Sequence, residues 1–468
     1  MKIVMKFGGS SLANSSRIRH VARIVKQYAR DNNIVVVASA MGDTTDVLAE
    51  IGEHANKGDT RRTTKLLASL ERTHLNASRT IAKRTNVKQL TAKILQLNSE
   101  LARTVEGISH LRELTARSRD YLLSFGERLS VPILAAALET AGINARALTG
   151  AEAGIVTDDN FGEAKPLVQL SYQQVKQRIQ PILSRKEVPV VTGFIASTET
   201  GGITTLGRGG SDYTASLLGA ALDADEVWIW TDVDGLMTAD PRIVKDAMTL
   251  QNVSFGEALE LSYFGAKMMH PRALQPAAQN RLPVRIKNSS KPNNLGTLVS
   301  AVEADNRGKV VKAISIIRGV AIVTVSGTGM MGAPGVAAKV FQTLGDHRVN
   351  VMMISQGSSE ATISCVVPRK DVDSAVRALQ LSLLGQGYVE KVTAEKDVCI
   401  IAVVGSGMKG TPGVAARIFG AVARGKVNVR MVAQGSSEYN VSFVVSEGQG
   451  PEAVRAIHDE FQLGTSKA

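Results

Sequence analysis

Two stretches of this chain are near copies of each other, offset by 78 residues. Residues 327–338 read GTGMMGAPGVAA, and residues 405–416 read GSGMKGTPGVAA. The likeness continues to the segment QGSSE, which occurs at 356–360 and again at 434–438. An offset kept over about forty positions indicates a duplicated module rather than chance. Each copy reads as strand, glycine turn, helix, strand, hairpin, strand and helix, which predicts two small α+β modules that share strands.

The first 300 residues follow a different pattern. Apolar strand-like runs at 34–38, 188–194 and 226–230 alternate with helical stretches. Runs that are apolar throughout are typical of strands covered on both faces, so we predict an α/β domain with a mainly parallel sheet sandwiched by helices. The predicted organisation is a large domain over 1–300, a linker over 301–315, and the paired modules over 316–392 and 393–468.

Composition argues against membrane and secreted proteins. The chain is 44% apolar and 21% charged, and no apolar run approaches the roughly 20 residues needed to span a bilayer. The first residues read as a strand without signal-peptide anatomy. Cys365 and Cys399 lie inside apolar runs, which favours two buried free thiols. We therefore expect a cytoplasmic protein with no membrane partner.

The net charge of +12 makes a nucleic-acid partner worth testing. Residues 61–120 carry thirteen Lys or Arg against five Asp or Glu. The same span holds an apolar stripe at helical spacing, made of Leu90, Ile94, Leu97, Leu101, Val105 and Ile108. The cations therefore lie on the outer face of a helix, and no aromatic residues are interleaved for base stacking. We interpret this as a solvated face and expect no nucleic-acid partner.

The first predicted strand runs directly into a glycine turn, Lys6-Phe7-Gly8-Gly9-Ser10. The chain has no Gly-x-x-x-x-Gly-Lys-Ser/Thr motif, which excludes a P-loop. Two glycines at a strand-to-helix turn still expose backbone N–H groups that suit phosphate, and Lys6, on the strand just before them, could reach a transferring phosphoryl group. A Gly-Gly turn after a strand is also common for structural reasons alone, and both interpretations stay open. A second polar segment, Ser39–Asp46, follows the strand 34–38, at the sheet edge where α/β proteins bind ligands.

Further along, Gly207-Arg208-Gly209-Gly210-Ser211-Asp212 places one guanidinium among three glycines at the start of a helix. An open loop with a planar cationic fork suits bidentate capture of a carboxylate or phosphate. Glu127 follows Gly126, and on its own it reads as a surface glutamate. His270 precedes a proline, and we interpret it as a structural hydrogen-bonding residue.

Taken in chain order, these segments resemble the aspartokinases, members of the amino-acid kinase superfamily, and the duplicated modules resemble that family's tandem ACT domains. The resemblance rests on KFGGSS, SAMGDTT, SFGERLS, GRGGSDYTA, TDVDG, TADPR and FGAKxxHP, and it covers nearly the whole chain. It implies ATP-dependent phosphorylation of the L-aspartate side-chain carboxylate, the first step towards lysine, threonine and methionine. We expect no added homoserine dehydrogenase domain in 468 residues.

The resemblance also assigns roles. It implies Lys6 and Asp212 as catalytic residues, and a substrate-binding set of Ser39, Thr45, Glu127, Arg208 and Ser211. For ATP it implies Lys6, Phe7, Gly8, Gly9, Ser10, Thr231, Asp232, Met237, Arg242, Lys267 and Met268. Met237 stands where the family often has an aromatic residue. Mg²⁺ is expected on the ATP phosphates, with no separate metal site.

By the same resemblance the modules bind an amino-acid effector. The implied residues are Met330, Gly332, Pro334, Gly335, Asn350, Gln356, Ser358, Asn428 and Gln434. A lysine effector would need a carboxylate for its side-chain ammonium, and the first repeat offers none between Val349 and Ser359, before Glu360. Threonine is therefore slightly preferred over lysine, and both stay open. ACT modules usually pair edge to edge, so we expect a homodimer or tetramer.

Two other functions stay open from the sequence. One is a non-catalytic amino-acid sensor with an inactive kinase domain, which the intact set of Lys6, Glu127, Arg208 and Asp212 argues against. The other is an amino-acid kinase with a different acceptor.

Overall fold

The computed structural model describes residues 1–82, 86–263, 270–301, 310–385 and 387–464. Spatial contacts divide the chain into two compact units. The first comprises Met1–Leu236, Gln251–Phe255 and Met268–Val302, and the second comprises Met237–Leu250, Gly256–Lys267 and Glu303–Ala468. Two short segments that precede residue 300 therefore group with the second unit. Residues 302–309 of the predicted linker lie outside the described residues.

The elements before residue 301 alternate between strands and helices. The strands are β1 (Lys2–Phe7), β2 (Asn33–Ala38), β3 (Ala145–Leu148), β4 (Val156–Thr157), β5 (Val188–Thr192), β6 (Ile195–Thr198), β7 (Ile203–Thr205), β8 (Glu226–Thr231), β9 (Asn252–Ser254), β10 (Val284–Asn288) and β11 (Thr297–Ser300). The helices are α1 (Ser15–Tyr28), α2 (Thr44–Asn56), α3 (Thr60–Ile81), α4 (Val87–Leu111), α5 (Ala116–Thr140), α6 (Gly150–Ala153), α7 (Val168–Ser184), α8 (Gly210–Ala221), α9 (Phe255–Tyr263) and α10 (Pro271–Gln279).

An eight-stranded sheet forms the centre of the first unit, in the order β3-β5-β2-β1-β8-β10-β11-β9. Among its described pairs only β10 with β11 is antiparallel. Strands β2 and β5 are buried almost along their whole length, because helices cover both faces of the sheet. The predicted fold class, a mainly parallel sheet sandwiched by helices, is confirmed.

Helix α4 carries the apolar stripe that the spacing predicted. Its six residues are all at most 8% exposed, whereas Lys88, Lys93 and Arg103 on the same helix are exposed. The stripe packs into the same core as α3 and α5. The excess of positive charge in this span therefore lies on the solvent side of a packed helix.

Helix α5 is a long helix of the first unit with many residues in its core. Thr115 and Ser118 form a capping box at its start. The helix is long and apolar enough in composition to cross a membrane, but 78% of its most apolar window is buried inside the protein. Such burial is typical of a core helix.

The second unit is built on the two repeats. Its strands are β12 (Ala313–Ser326), β13 (Met353–Gln356), β14 (Thr362–Pro368), β15 (Lys391–Val404), β16 (Met431–Gln434) and β17 (Asn440–Ser446), and its helices include α11 (Val336–Asp346), α12 (Val372–Leu383), α13 (Val414–Arg424) and α14 (Gly450–Glu460). The six strands form one antiparallel sheet in the order β13-β14-β12-β15-β17-β16.

The two long strands of this sheet each belong to both modules. The first residues of β12, Ala313–Ile317, pair with the end of β15, and the first residues of β15 pair with the end of β12. Each module therefore contains, as an additional strand, the leading half of the other module's long strand. This exchange explains why a strand precedes the first repeat, and why no equivalent strand follows the second repeat in the part of the chain that the structure describes.

The repeats differ in the carboxylate that accepts from one turn amide, which is exposed in the first repeat and buried in the second. In the first repeat the amide of Thr328 donates to the Glu390 carboxylate at 2.9 Å. At the equivalent place in the second, the amide of Ser406 donates to Glu257 of α9 at 2.7 Å. The counterpart of position 390 is Lys312, whose Nζ lies 2.8 Å from the second oxygen of Glu257. Helix α9 thus supplies the carboxylate that the second repeat lacks.

We expect Glu257→Gln to lower the free energy of unfolding by about 3 kcal/mol, because it removes a buried carboxylate charge that lies 2.8 Å from the buried Lys312 ammonium. The two side chains are 0% and 8% exposed. Denaturant unfolding followed by circular dichroism measures the change. Glu390→Gln is the matched control at the exposed, equivalent position and should cost clearly less. Equal losses in the two variants would contradict the assigned role of burial.

Candidate active site

A cavity of about 310 Å³ opens at the carboxyl ends of β1 and β2. Every residue predicted as catalytic or substrate-binding lines it. Its lining is Lys6, Gly9, Ser39, Ala40, Gly42, Thr45, Glu127, Phe194, Gly207, Arg208, Gly209, Gly210, Ser211 and Asp212. The segments that carry them lie far apart in sequence, and the parallel sheet brings them to one edge because its strands end there together.

The opposite edge of the sheet holds a larger groove of about 570 Å³ near the amino ends of β2 and β5. None of the predicted functional residues lines it. Size alone therefore does not identify the functional site, whereas the convergence of charged groups does.

Lys6 and Asp212, which both line the cavity, form an ion pair. Lys6 lies near the end of β1 and Asp212 in the first turn of α8, and their charged atoms are 2.6 Å apart. The side chains are 13% and 10% exposed, so the pair is only partly screened by water. Asp212 therefore holds the ammonium of Lys6 in a fixed place.

The glycine turn after β1 lies unusually close to the segment after β2. A Cβ atom on Gly9 would lie 2.6 Å from the carbonyl oxygen of Gly42, nearer than real Cβ contacts occur. The amide of Gly42 in turn donates to the carbonyl of Gly9 at 3.1 Å. Only glycine at position 9 allows these two segments to share one wall of the cavity.

Glu127 lies inside the cavity wall on α5 and is 3% exposed. One of its oxygens accepts a hydrogen bond from the amide of Ala40 at 3.1 Å, and the other has no hydrogen-bond partner among the described residues. Burial raises the pKa of Glu127 to about 8, although the Ala40 amide and the charge of Lys6 lower it. The carboxyl group is thus largely neutral near pH 7 and is aimed at a space that a cation can fill.

The position of Glu127 depends on its neighbour, Gly126. A Cβ on Gly126 would lie 2.9 Å from the Cβ of Ala40 and 3.7 Å from the hydroxyl of Thr45. The glycine lets α5 approach the segment 39–45 closely. Ser130, one turn on, donates to the carbonyl of Ser39 at 2.8 Å and fixes the same contact.

Arg208 stands in a loop between two glycines with left-handed backbone, Gly207 at φ +72° and Gly209 at φ +73°. Its side chain is exposed, and no hydrogen bond or ion pair joins its guanidinium to another described residue. A Cβ on Gly209 would lie 2.4 Å from that of His270, which packs there and caps α10 by accepting from the amide of Arg272. His270 thus has the structural role that was predicted, and the guanidinium of Arg208 is available to an anion.

The predicted nucleotide residues are distributed over several places. Thr231 is the last residue of β8 and Asp232 follows it at the same sheet edge, where the Thr231 carbonyl accepts from Ser289 Oγ at 3.1 Å. The side chain of Phe7 lies in the core, stacked on Trp230 with the ring centroids 5.7 Å apart, so only its backbone is available to a ligand. Met237 and Arg242 belong to the second unit, and Lys267 and Met268 lie outside the described residues.

Most of the predicted effector residues lie on exposed turns of the repeats. Gly332, Pro334, Gly335, Asn350, Gln356, Ser358, Asn428 and Gln434 are exposed. Met330 is instead 3% exposed and packs in the core of the first repeat. Glu360 accepts from the amide of Gly332 at 2.9 Å, as Glu438 does from the amide of Gly410 in the second repeat.

The sequence patterns missed two residues of this region. Phe194 lines the cavity with a left-handed backbone, φ +65°, which is rare for an aromatic residue. Asp120 is a buried carboxylate behind the Arg208 loop. The position of Phe194 just after β5 was an available signal, because residues that follow parallel strands converge at one edge. No local signal marked Asp120.

No cluster of three or more His, Cys, Asp or Glu that could hold a metal ion is found in the described ranges. The carboxylates at the cavity are Asp212, which contacts Lys6, and Glu127, which is buried next to Ala40.

Comparison with known proteins agrees with this geometry. The profile of the amino acid kinase family matches residues 1–288, and that of the ACT domain matches residues 323–383 and 401–461. Aspartokinase 1, chloroplastic, from Arabidopsis thaliana is 35% identical over 98% of this chain and 80% of the relative. The chain also matches bifunctional aspartokinase/homoserine dehydrogenases from Zea mays and spans half of their length.

Solved structures show the same likeness. E. coli aspartokinase III in complex with aspartate and ADP, described as the R-state, has a TM-score of 0.82 and 27% identity, covering 98% of this chain and 99% of that one. The same enzyme in complex with lysine and aspartate, the T-state, has a TM-score of 0.82 and 28% identity over the same shares. The chain belongs to the aspartokinases, the members of the amino acid kinase family that carry paired ACT domains.

Proposed function

We propose that this aspartokinase transfers the γ-phosphoryl group of ATP to the side-chain carboxylate of L-aspartate, giving 4-phospho-L-aspartate. The observation that carries the proposal is the meeting of Lys6, Asp212, Glu127 and Arg208 in one cavity. The related enzyme crystallised with aspartate and ADP supports the choice of substrates. Formation of aspartyl hydroxamate from ATP, aspartate and hydroxylamine tests it, and product only with another amino acid would favour a different acceptor.

The chemistry needs charge stabilisation more than acid–base catalysis. A free carboxylate with a pKa of about 3.9 is already ionised at pH 7, so it attacks without a general base. The difficulty is that two anions must touch, and positioned cations reduce that cost. Lys6, fixed by Asp212, offers its ammonium to the transferring phosphoryl group. Mg²⁺ carried on the phosphates would neutralise further charge there.

Recognition of the aspartate backbone falls to two groups of opposite sign. The Glu127 carboxyl would receive the α-ammonium, and the Arg208 guanidinium would form a fork with the α-carboxylate. Ser39 and Thr45, both half-buried at the cavity, would donate hydrogen bonds to the substrate. Because the ammonium stabilises the ionised form of Glu127, substrate binding should release its proton.

Regulation by an end-product amino acid is proposed for the first ACT module. Glu360 is already engaged by the amide of Gly332, which favours threonine, whereas the lysine complex of the related enzyme favours lysine. Activity titrations with each amino acid separate the two. The product would enter lysine, threonine and methionine synthesis, and a cytoplasmic location remains a prediction.

Self-association is proposed through the edges of the antiparallel sheet. Strands β13 and β16 form its two edges, and Ile354 and Val432 at equivalent positions on them are 49% and 41% exposed. Apolar edge strands favour pairing with another chain. Sedimentation equilibrium distinguishes a monomer from a dimer or tetramer.

We expect Lys6→Met to lower kcat by more than about 1000-fold, because it removes the cation that faces the transferring phosphoryl group. Initial rates in the hydroxamate assay measure the loss, and circular dichroism checks the fold. Lys2→Met is the matched control, since Lys2 lies on the same strand and donates to the carbonyl of Leu222. Full activity of Lys6→Met would overturn the assigned role.

Arg208→Ala should raise the aspartate KM about 10- to 100-fold while the ATP KM changes little, because a hydrogen bond to a charged group contributes about 1.5–3 kcal/mol. Steady-state kinetics with each substrate varied measures both constants. Arg208→Lys keeps the charge without the planar fork and should fall between wild type and alanine. Equal increases in both KM values would count against carboxylate capture.

The raised pKa of Glu127 predicts a pH dependence of aspartate binding. Below pH 8 the protonated group must lose its proton to accept the ammonium, so kcat/KM for aspartate should rise about tenfold per pH unit and level off above pH 8. Rates at low aspartate and saturating ATP from pH 6 to 9 measure it. Glu127→Gln should lose this pH dependence together with affinity. An unchanged profile in that variant would assign the titration to another group.

A further inference from the structure

Asp120 is a buried carboxylate that joins two separate segments to α5. It is 1% exposed. One oxygen accepts hydrogen bonds from the amides of Gly162 and Thr205, both at 2.9 Å. The other accepts from the Thr205 hydroxyl at 2.7 Å. Hydrogen bonds to a charged group are stronger than those between neutral groups. The three bonds to Asp120 therefore connect the segments of Gly162 and Thr205 firmly to α5.

The two tied segments enclose the loop of Arg208. Thr205 ends β7, three residues before Arg208, and its carbonyl accepts from the amide of Ala164 at 3.0 Å. A Cβ on Gly207 would lie 3.4 Å from both Glu163 Cγ and the Gly162 carbonyl oxygen. The segment 162–164 therefore forms the wall against which the Arg208 loop lies.

The same helix also carries the group proposed for the α-ammonium. Asp120 and Glu127 are seven residues apart on α5, which is about two helical turns and about 10 Å along one face. An α-amino acid carries its ammonium and carboxylate on a single carbon, so their separation is fixed. The site must hold Glu127 and the Arg208 guanidinium at a matching distance.

We propose that Asp120 is a positioning residue for aspartate recognition, which ties the Arg208 loop to α5 and so holds Arg208 at a set distance from Glu127. The inference rests on the proposed function. Burial raises the pKa of Asp120, although the hydrogen bonds from Thr205 and Gly162 lower it. Burying a carboxyl group at this place is therefore costly, which fits a role in holding the two segments together.

The test is Asp120→Asn, which keeps the size but turns an N–H group towards the donors. The aspartate KM should rise about tenfold or more, the ATP KM should stay within about twofold, and kcat should change less than the aspartate KM. Ser124→Ala is the matched control, because Ser124 is buried on the same helix and bonds only to the helix carbonyl of Tyr121 among the hydrogen bonds described. It should leave the ratio of the two KM values unchanged.

Thr205→Val provides a milder change, because it removes one of the three hydrogen bonds. It should raise the aspartate KM in the same selective way, and the double variant with Asp120→Asn should be less than additive. This series keeps the inference testable if Asp120→Asn does not fold. Amide hydrogen exchange gives a readout independent of activity, with faster exchange expected at 160–164 and 205–209 in both variants.

The outcomes separate the two proposals. A wild-type enzyme that forms no aspartyl hydroxamate would overturn the proposed function and this inference with it. A normal wild-type rate with an unchanged ratio of KM values in Asp120→Asn and Thr205→Val would overturn the inference alone. A loss of thermal stability with equal changes in both KM values would show that Asp120 has only a structural role, and it would overturn the inference.

Discussion

The contact between Lys6 and Asp212 is the interaction on which the proposed chemistry depends. The two charges lie 2.6 Å apart in a largely enclosed place, so the cation is positioned before any substrate arrives. Charges arranged in advance need little reorganisation when the reaction takes place. Glu127 differs from Lys6, because burial raises its pKa to about 8 and favours its neutral form until a cation binds next to it. The cavity therefore contains Lys6, whose ammonium is held in place, and Glu127, which becomes negatively charged when a cation binds beside it.

Close backbone contacts make this arrangement possible. Gly9 and Gly126 each allow a neighbouring segment to approach nearer than a side chain would permit. As a result, the turn after β1, the segment after β2 and helix α5 share one wall. Helix α5 then acts as a common support, because Glu127 and Ser130 bond to the segment after β2, and Asp120 bonds to Gly162 and Thr205.

The two ACT modules have similar sequences, but the equivalent turns in them contact different residues. Their strands pair by the same rules, and each module takes the leading half of a long strand from the other. The first copy caps its turn with its own exposed Glu390, whereas the second uses the buried Glu257 of α9, held by Lys312. The second copy has Lys312 at the position equivalent to Glu390. Helix α9 packs there and supplies the missing carboxylate through Glu257.

Local patterns in the sequence were sufficient for the fold class, the repeat, the buried stripe of α4 and the family, because periodicity and contiguous motifs are properties of short segments. They also indicated the residue types at the cavity, since strand ends of a parallel sheet converge. Phe7 shows the limit of that reasoning, because its side chain faces the core while its neighbour Lys6 faces the cavity.

Only the tertiary structure decided which groups pair with the buried charges. Glu127 reads in sequence as an ordinary surface glutamate, and its raised pKa comes from desolvation by segments that lie more than eighty positions away. Asp120 and Glu257 carry no local signal at all, because their donors come from distant parts of the chain. The sequence by itself determined which groups were present and near which strand ends they lie, and only the packing decided which of them are buried, paired and held in place.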